Sequence, residues 1–203
     1  MIAPLSVKGA VLMAFTSRDP NRTNLHRPWF NARDGIAYAS DSRTLVRVCN
    51  LLAAPCEVAD WSTAPKDMDK FFTGVELLED VSYRDLMRAA EIARVQASLE
   101  YDGDSLAGGF DSPDDMALVR VRDRFFRAEY VARICTAIEM LYDGVDEPRV
   151  FMGGATLMVA HGGVQALAMH FYIGELGACP YGFVVVDAAT LEQSEGALRK
   201  GAR

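Results

Sequence analysis

Three times along the chain, apolar residues at helical spacing give way to short strand-like runs. The clearest case is 127–172, where Val131, Ile134, Cys135, Ile138, Leu141 and Tyr142 fall on one helical stripe. Arg149-Val150-Phe151-Met152, Thr156-Leu157-Met158-Val159 and Ala166-Leu167-Ala168-Met169 follow as strands, parted by Gly153-Gly154 and Gly162-Gly163. A helix with a single apolar stripe must lay it on a sheet. The same order recurs at 6–48 and 82–121, which predicts an α+β fold of repeated units, each a helix followed by short antiparallel strands.

In the first unit Ser6 is the expected N-cap of a helix that turns Val7, Val11, Leu12 and Phe15 inward. Residues 16–27 read as an exposed loop, and 29–32, 36–40 and 44–48 as strands, with Arg33-Asp34-Gly35 turning the first two. Ser82 with Asp85 gives the second helix a capping box, and Leu86, Ala90, Ala93 and Ala97 give it a stripe of small residues. Ala97-Ser98-Leu99-Glu100-Tyr101 and Leu106 onward to Phe110 are expected as strand, then 116–121, with Arg120 and Arg122 on one side. Between the first two units, 56–74 reads as a linker or lid. Trp61, Phe71 and Phe72 are expected to fold back onto their own domain rather than anchor a partner. A strand at 182–187 precedes a polar tail, read as a short frayed helix or as disordered.

With 203 residues and a hydrophobic fraction of 50%, the chain can bury a real core in one large or two small domains. A net charge of −7 argues against wrapping nucleic acid with the whole surface, but leaves room for a local basic face. Cys49, Cys56, Cys135 and Cys179 are scattered, so no disulfide framework is expected. The first residues have no leader pattern and no run approaches the roughly 18 apolar residues of a membrane span. A cytoplasmic protein with no membrane contact is expected.

Two segments carry a resemblance. Gly35-Ile36-Ala37-Tyr38-Ala39-Ser40-Asp41-Ser42-Arg43-Thr44-Leu45 resembles the strand and turn written A-T-D-G-H-R-L in bacterial DNA polymerase sliding clamps, the β-clamp family. Ala166-Leu167-Ala168-Met169-His170-Phe171 resembles that family's closing strand, V-V-M-P-M, and 125–141 its strand-entry helix. Ser42 stands at the motif glycine, Arg43 at the histidine, Thr44 at the arginine, and His170 at the proline of the closing strand. The resemblance implies a DNA-clamp-like fold of about one and a half clamp domains. It would comprise a first half-unit at 1–60, a linker at 61–75, a domain of two half-units at 76–175, and a strand with polar tail at 176–203. A complete clamp subunit has about six such units and this chain has room for roughly three. A shortened, phage-derived clamp closing a ring of more copies as a homo-oligomer is one form this would take.

The resemblance implies a noncatalytic protein that binds duplex DNA through helix faces, a polymerase or repair-protein peptide, or both. The cations available for phosphate contact are Lys8, Arg18, Arg22, Arg84, Arg88, Arg94, Arg127 and Arg133, with Asp85, Glu91 and Glu129 diluting their field. Solvated helix faces with local ion pairs are the plain alternative. A groove for a partner peptide would be lined by Ser40, Asp41, Ser42, Arg43, Leu45, Leu167 and Met169. A clamp-like interaction module that no longer encircles DNA fits the acidic charge equally.

The third reading is a small enzyme with a site assembled from His161, His170 and acidic loops containing Asp102, Asp104, Asp111, Asp114 and Asp115. No histidine has a second ligand at i+2 or i+4, and the aspartates lack the ordered calcium-loop spacing, so no metal is expected. The glycine pairs open no helix in a phosphate-loop pattern and read as hairpin turns; no G-x-S-x-G elbow occurs. No cofactor is expected.

Overall fold

The computed structural model describes residues 6–100, 117–142, 145–171 and 183–201. Its strands are β1 (Trp29–Asn31), β2 (Ile36–Ser40), β3 (Thr44–Val48), β4 (Glu76–Leu77), β5 (Leu118–Val121), β6 (Arg124–Arg127), β7 (Arg149–Gly153), β8 (Thr156–His161), β9 (Val164–Met169) and β10 (Val184–Val185). The helices are α1 (Val7–Ala14), α2 (Tyr83–Glu100), α3 (Ala128–Glu139) and α4 (Ala188–Gly201). The fold is α+β, built on a large antiparallel sheet. The expected strand at 106–110, the acidic residues Asp102, Asp104, Asp111, Asp114 and Asp115 on either side of it, and Cys179 lie outside the described residues.

Seven strands form one sheet in the order β1-β2-β3-β9-β8-β7-β4, antiparallel throughout. At its centre β3 pairs with β9 from Thr44 opposite Ala168 to Val48 opposite Val164. The ladder extends at both ends: the Met169 amide donates to the Arg43 carbonyl and the Cys49 amide to the Gly163 carbonyl, each at 2.9 Å. An antiparallel pair has a local two-fold axis normal to the sheet. Here the order of strands repeats outward from that axis, with α1 over β2 and β3 on one side and α3 over β8 and β9 on the other. The first and third sequence units are therefore alike in arrangement, joined edge to edge.

The second unit differs. Its strand β5 enters a separate sheet, β10-β5-β6, in which β10 runs parallel and β6 antiparallel to it. The run Arg124-Phe125-Phe126-Arg127, which from Phe125 onward the resemblance places at the start of the third helix, is strand β6. It pairs with β5 across a turn in which Arg122 has φ +54°, which takes Arg122 out of the strand with Arg120. Alternation decides this: Phe126 is buried while its neighbours reach the surface, a period of two rather than 3.6. The two sheets meet where the Phe171 amide donates to the Phe125 carbonyl at 2.7 Å. Two further expectations are corrected: α2 continues through residues 97–100 instead of giving way to strand, and Val7 is exposed; of the two readings of the tail, the helical one holds, from Ala188. Ser82 does cap α2, accepting from the Asp85 amide at 3.1 Å and donating to its carboxylate at 2.7 Å, a variant of the capping box suited to the shorter acid.

Strand alternation buries both faces of the large sheet. Ala37, Ala39, Val46, Val48, Leu157, Val159, Ala166 and Ala168 face the helices and share a core with Leu12, Phe15, Val131, Ile134 and Ile138. Small residues dominate the sheet side, so α1 and α3 approach closely; α2 then covers α3 with its stripe of Leu86, Ala90, Ala93 and Ala97, all buried. Cys135 lies inside, and burial pushes its thiol up to about 12. The opposite face, Tyr38, Leu45, Met158 and Leu167, forms a second core with Trp29, Met68 and Phe72. Segment 61–75 thus lies across the outer face, with Trp61 and Phe71 at its rim. Asp69 fixes it by accepting from the Tyr38 hydroxyl at 2.6 Å and from Arg47 at 2.8 Å, and the Arg47 guanidinium stacks on Phe72 at 4.7 Å. The sheet's outer edges are short: β1 is bridged by Ala59, and β4 has two residues.

No helix among the described residues is long and apolar enough to cross a membrane.

Leu167→Ala should cost about 2–5 kcal/mol in urea unfolding, because its side chain is enclosed between sheet and covering segment; a loss below about 0.5 kcal/mol would contradict that enclosure. The Tyr38 hydroxyl holds the Asp69 carboxyl below its ordinary 3.8. The folded state therefore takes up this proton at lower pH than the unfolded chain, and the contribution of Asp69, complete above about pH 5, fades as pH falls through the folded value. Asp69→Asn should lose less stability than the wild type between about pH 5 and about pH 3. Parallel acid profiles would contradict the assignment.

Candidate functional site

The turn between β2 and β3 is held by its own side chains. Asp41 Oδ1 accepts from the Arg43 amide at 2.9 Å, the Thr44 amide at 2.7 Å and the Thr44 hydroxyl at 2.9 Å. Ser40 Oγ donates to the Thr44 carbonyl at 2.8 Å and accepts from the Ser42 amide at 3.0 Å. This network holds Ser42 at φ +78°, a conformation that suits glycine, the residue expected there in the clamp pattern. Gly35, at the start of β2, has a different constraint: a Cβ on it would lie 2.7 Å from the Leu51 carbonyl oxygen.

Two arginines dock on this turn from elsewhere in the chain. Arg133, on α3, donates to Asp41 Oδ2 and, at 2.6 Å, to Glu129 one helical turn back. Arg22 donates to the Ser42 hydroxyl and to the Asp41 carbonyl, the latter at 3.2 Å, and pairs with Asp19 at 3.3 Å. Asp41 therefore ties the loop after α1, the β2–β3 turn and α3 together. Its side chain is only 16% exposed, so these pairs are stronger than free surface ion pairs.

Between these elements lies a cleft of about 570 Å³, lined by Met13, Ala14, Thr16, Ser17, Arg18, Asp19, Arg22, Asp41, Arg43, Tyr130 and Arg133. Arg18 and Arg43 are exposed and reach it with no hydrogen bond or ion pair from their side chains among the described residues. Burial, more than the surrounding charges, raises the Tyr130 phenol, which stays a neutral donor. The Arg133 guanidinium sits 5.7 Å from that ring. Tyr130 and Met13 escaped sequence reasoning; the only signal was the spacing of Tyr130 three residues before Arg133 on the flank of an otherwise buried helix.

The expected DNA-facing set divides. Arg18, Arg22 and Arg133 gather in the cleft, while Arg84, Arg88 and Arg94 lie along α2, where Arg84 is 3.9 Å from Glu147. Lys8 is on α1, and Arg127 stands at the N-cap position of α3, its guanidinium lying over Phe171 at 5.0 Å. The expected partner set divides too. Ser40, Asp41, Ser42 and Arg43 form the turn, whereas Leu45 and Leu167 are buried on the outer face beneath Met68 and Phe72, with half-buried Met169 packed against the same cluster.

His161 and His170 stand at opposite ends of the β8–β9 hairpin. His170 pairs its amide with Ala155, six positions from His161 along the strand, which puts the two about 20 Å apart. His161 packs against the Tyr142 ring at 5.1 Å in a separate cleft of about 430 Å³ with Arg47, Cys49 and Glu147. Gly154, Gly162 and Gly163 have positive φ, as hairpin turns require. Among the described residues no three His, Cys, Asp or Glu side chains are grouped so as to hold a metal ion.

Asp41→Ala should cost about 2–4 kcal/mol in stability, since it strips the turn, leaves Arg133 with Glu129 alone and leaves the buried Thr44 hydroxyl without its acceptor. Arg18→Ala should change stability by less than about 0.5 kcal/mol. Equal effects in chemical denaturation would contradict this division of roles.

No family model matches the sequence, and no curated protein matches it. Among solved structures the chain is similar to DNA polymerase III subunit beta from Borrelia burgdorferi, determined in complex with a natural product. The TM-score is 0.47 and the sequence identity 9%; the match covers 83% of this chain and 62% of that chain.

Proposed function

We propose that this is a noncatalytic, clamp-like protein that holds duplex DNA, a replication or repair partner, or both. The observation that carries the reading is local. The two segments that resemble clamp sequences are distant in the chain yet adjacent in space, Leu45 opposite Leu167 and the Arg43 carbonyl bonded to the Met169 amide. The turn that ends the first segment opens onto the arginine-lined cleft. Arg18, Arg22, Arg43 and Arg133 there, and Arg84, Arg88 and Arg94 along α2, supply the phosphate contacts. On a chain of net charge −7 such attraction is confined to these patches. The separation of His161 from His170 removes the paired-histidine site on which the enzymatic reading rested.

A second reading, a protein-interaction module that does not encircle DNA, is favoured by one feature. Arg22 and Arg133 are already paired with Asp19, Asp41 and Glu129, which lowers the field a phosphate backbone would meet. In that case the turn at Ser40, Asp41, Ser42 and Arg43 and the rim at Met169 make the partner contact, and assembly with further copies supplies avidity.

Fluorescence anisotropy with a labelled duplex decides between them. If the four cleft arginines each displace a counterion, affinity should fall roughly 100-fold between about 50 and about 200 mM salt. Absence of association at the lower salt would contradict the DNA reading, leaving capture of a protein partner that Arg43→Ala abolishes as the expected result of the second.

A further inference from the structure

We infer that the cleft between α1, the β2–β3 turn and α3 is a receptor for a phosphomonoester, and that its nucleic-acid ligand is a 5′-phosphorylated end rather than the continuous backbone. This rests on the DNA reading above and specifies which part of the nucleic acid is held.

The charge inventory of the cleft supports the inference. Both carboxylate oxygens of Asp41 are occupied, one by the turn amides and Thr44, the other by Arg133. Asp19 is likewise engaged, by Arg22 and by the Asn21 amide at 2.9 Å. Glu129, behind the lining, places a third acid on Arg133, so the fixed arginines carry no surplus charge. Arg18 and Arg43, by contrast, face the cavity with their side-chain donors unengaged among the described residues. Two unengaged guanidinium groups offer more donors than the two unbridged oxygens of a phosphodiester take up, and suit a phosphomonoester, which presents three terminal oxygens and nearly two negative charges at neutral pH. Guanidinium groups present paired N–H donors that fit phosphate oxygens, and the two fixed ones lose little freedom on engaging a ligand.

Shape points the same way. A continuous backbone needs a row of cations along a ridge or groove, as Arg84 and Arg88 on α2 provide. A concave site of about 570 Å³ that draws arginines from three elements instead receives one protruding group. The half-buried Tyr130 ring on its wall offers a face against which a terminal base can stack.

The test compares blunt duplexes of one sequence with 5′-phosphate or 5′-hydroxyl ends, together with calorimetric titration of inorganic phosphate and of hexaglutamate. Each is run on the wild-type chain and on an Arg18→Ala, Arg43→Ala double variant. Both residues are exposed, so the variant should keep its melting temperature, which is measured alongside. The expected result is about tenfold tighter binding of the phosphorylated duplex, reduced in the variant to within about twofold of the hydroxyl form. Duplex binding with no end preference would overturn the inference while leaving the DNA reading intact. Phosphate binding that the variant loses, without any duplex binding, would sustain the phosphate site and reject the DNA reading. Hexaglutamate binding more tightly than phosphate, or no binding of any of the four probes, would overturn the inference.

Discussion

The antiparallel pairing of β3 with β9 is the constraint on which the rest depends. It joins two meanders from opposite ends of the described chain into one sheet, and sets α1 and α3 side by side on one face. Because a strand alternates its side chains, the register also settles which residues each face receives. Val46 and Ala166 go under the helices; Leu45 and Leu167 go under the covering segment. A slip of one residue would exchange these sets and expose leucines where alanines are needed for close helix approach. Asp41 reinforces this register from the turn by holding Arg133 of α3.

Much of this architecture was legible in sequence wherever turn chemistry marked a boundary. The limits of β2 and β3 follow from Gly35 and from the Asp41-Ser42 turn, and β7 to β9 are delimited by turns at Gly154 and at Gly162-Gly163, where φ is positive. The helical stripes of α2 and α3 were equally plain, being set by spacing alone. The start of α3 was not legible, because Arg124-Phe125-Phe126-Arg127 satisfies a short strand and the first turn of a helix equally. Only pairing with β5 resolves it.

Several residues that line the cleft were named from the sequence, but not as one place. Arg18, Arg22 and Arg133 were read as phosphate contacts and Asp41 and Arg43 as partner contacts, yet all five line one cleft, since β2, β3 and α3 converge where no sequence proximity exists. Conversely, Leu45 and Leu167 were grouped with the turn by resemblance, whereas strand alternation sends them to the far face, under Met68 and Phe72. Sequence position gives the parity of a strand, but which parity meets a covering segment is decided by tertiary contacts.

Native-state hydrogen exchange at the amides of β3 and β9 tests the central claim most directly, because this pairing holds the two halves and the cleft together. The account predicts that the paired amides of both strands exchange last and only through global unfolding, with a shared opening free energy. Exchange of either strand through a smaller, independent opening would show that the halves are separate units, and the cleft would lose its structural basis.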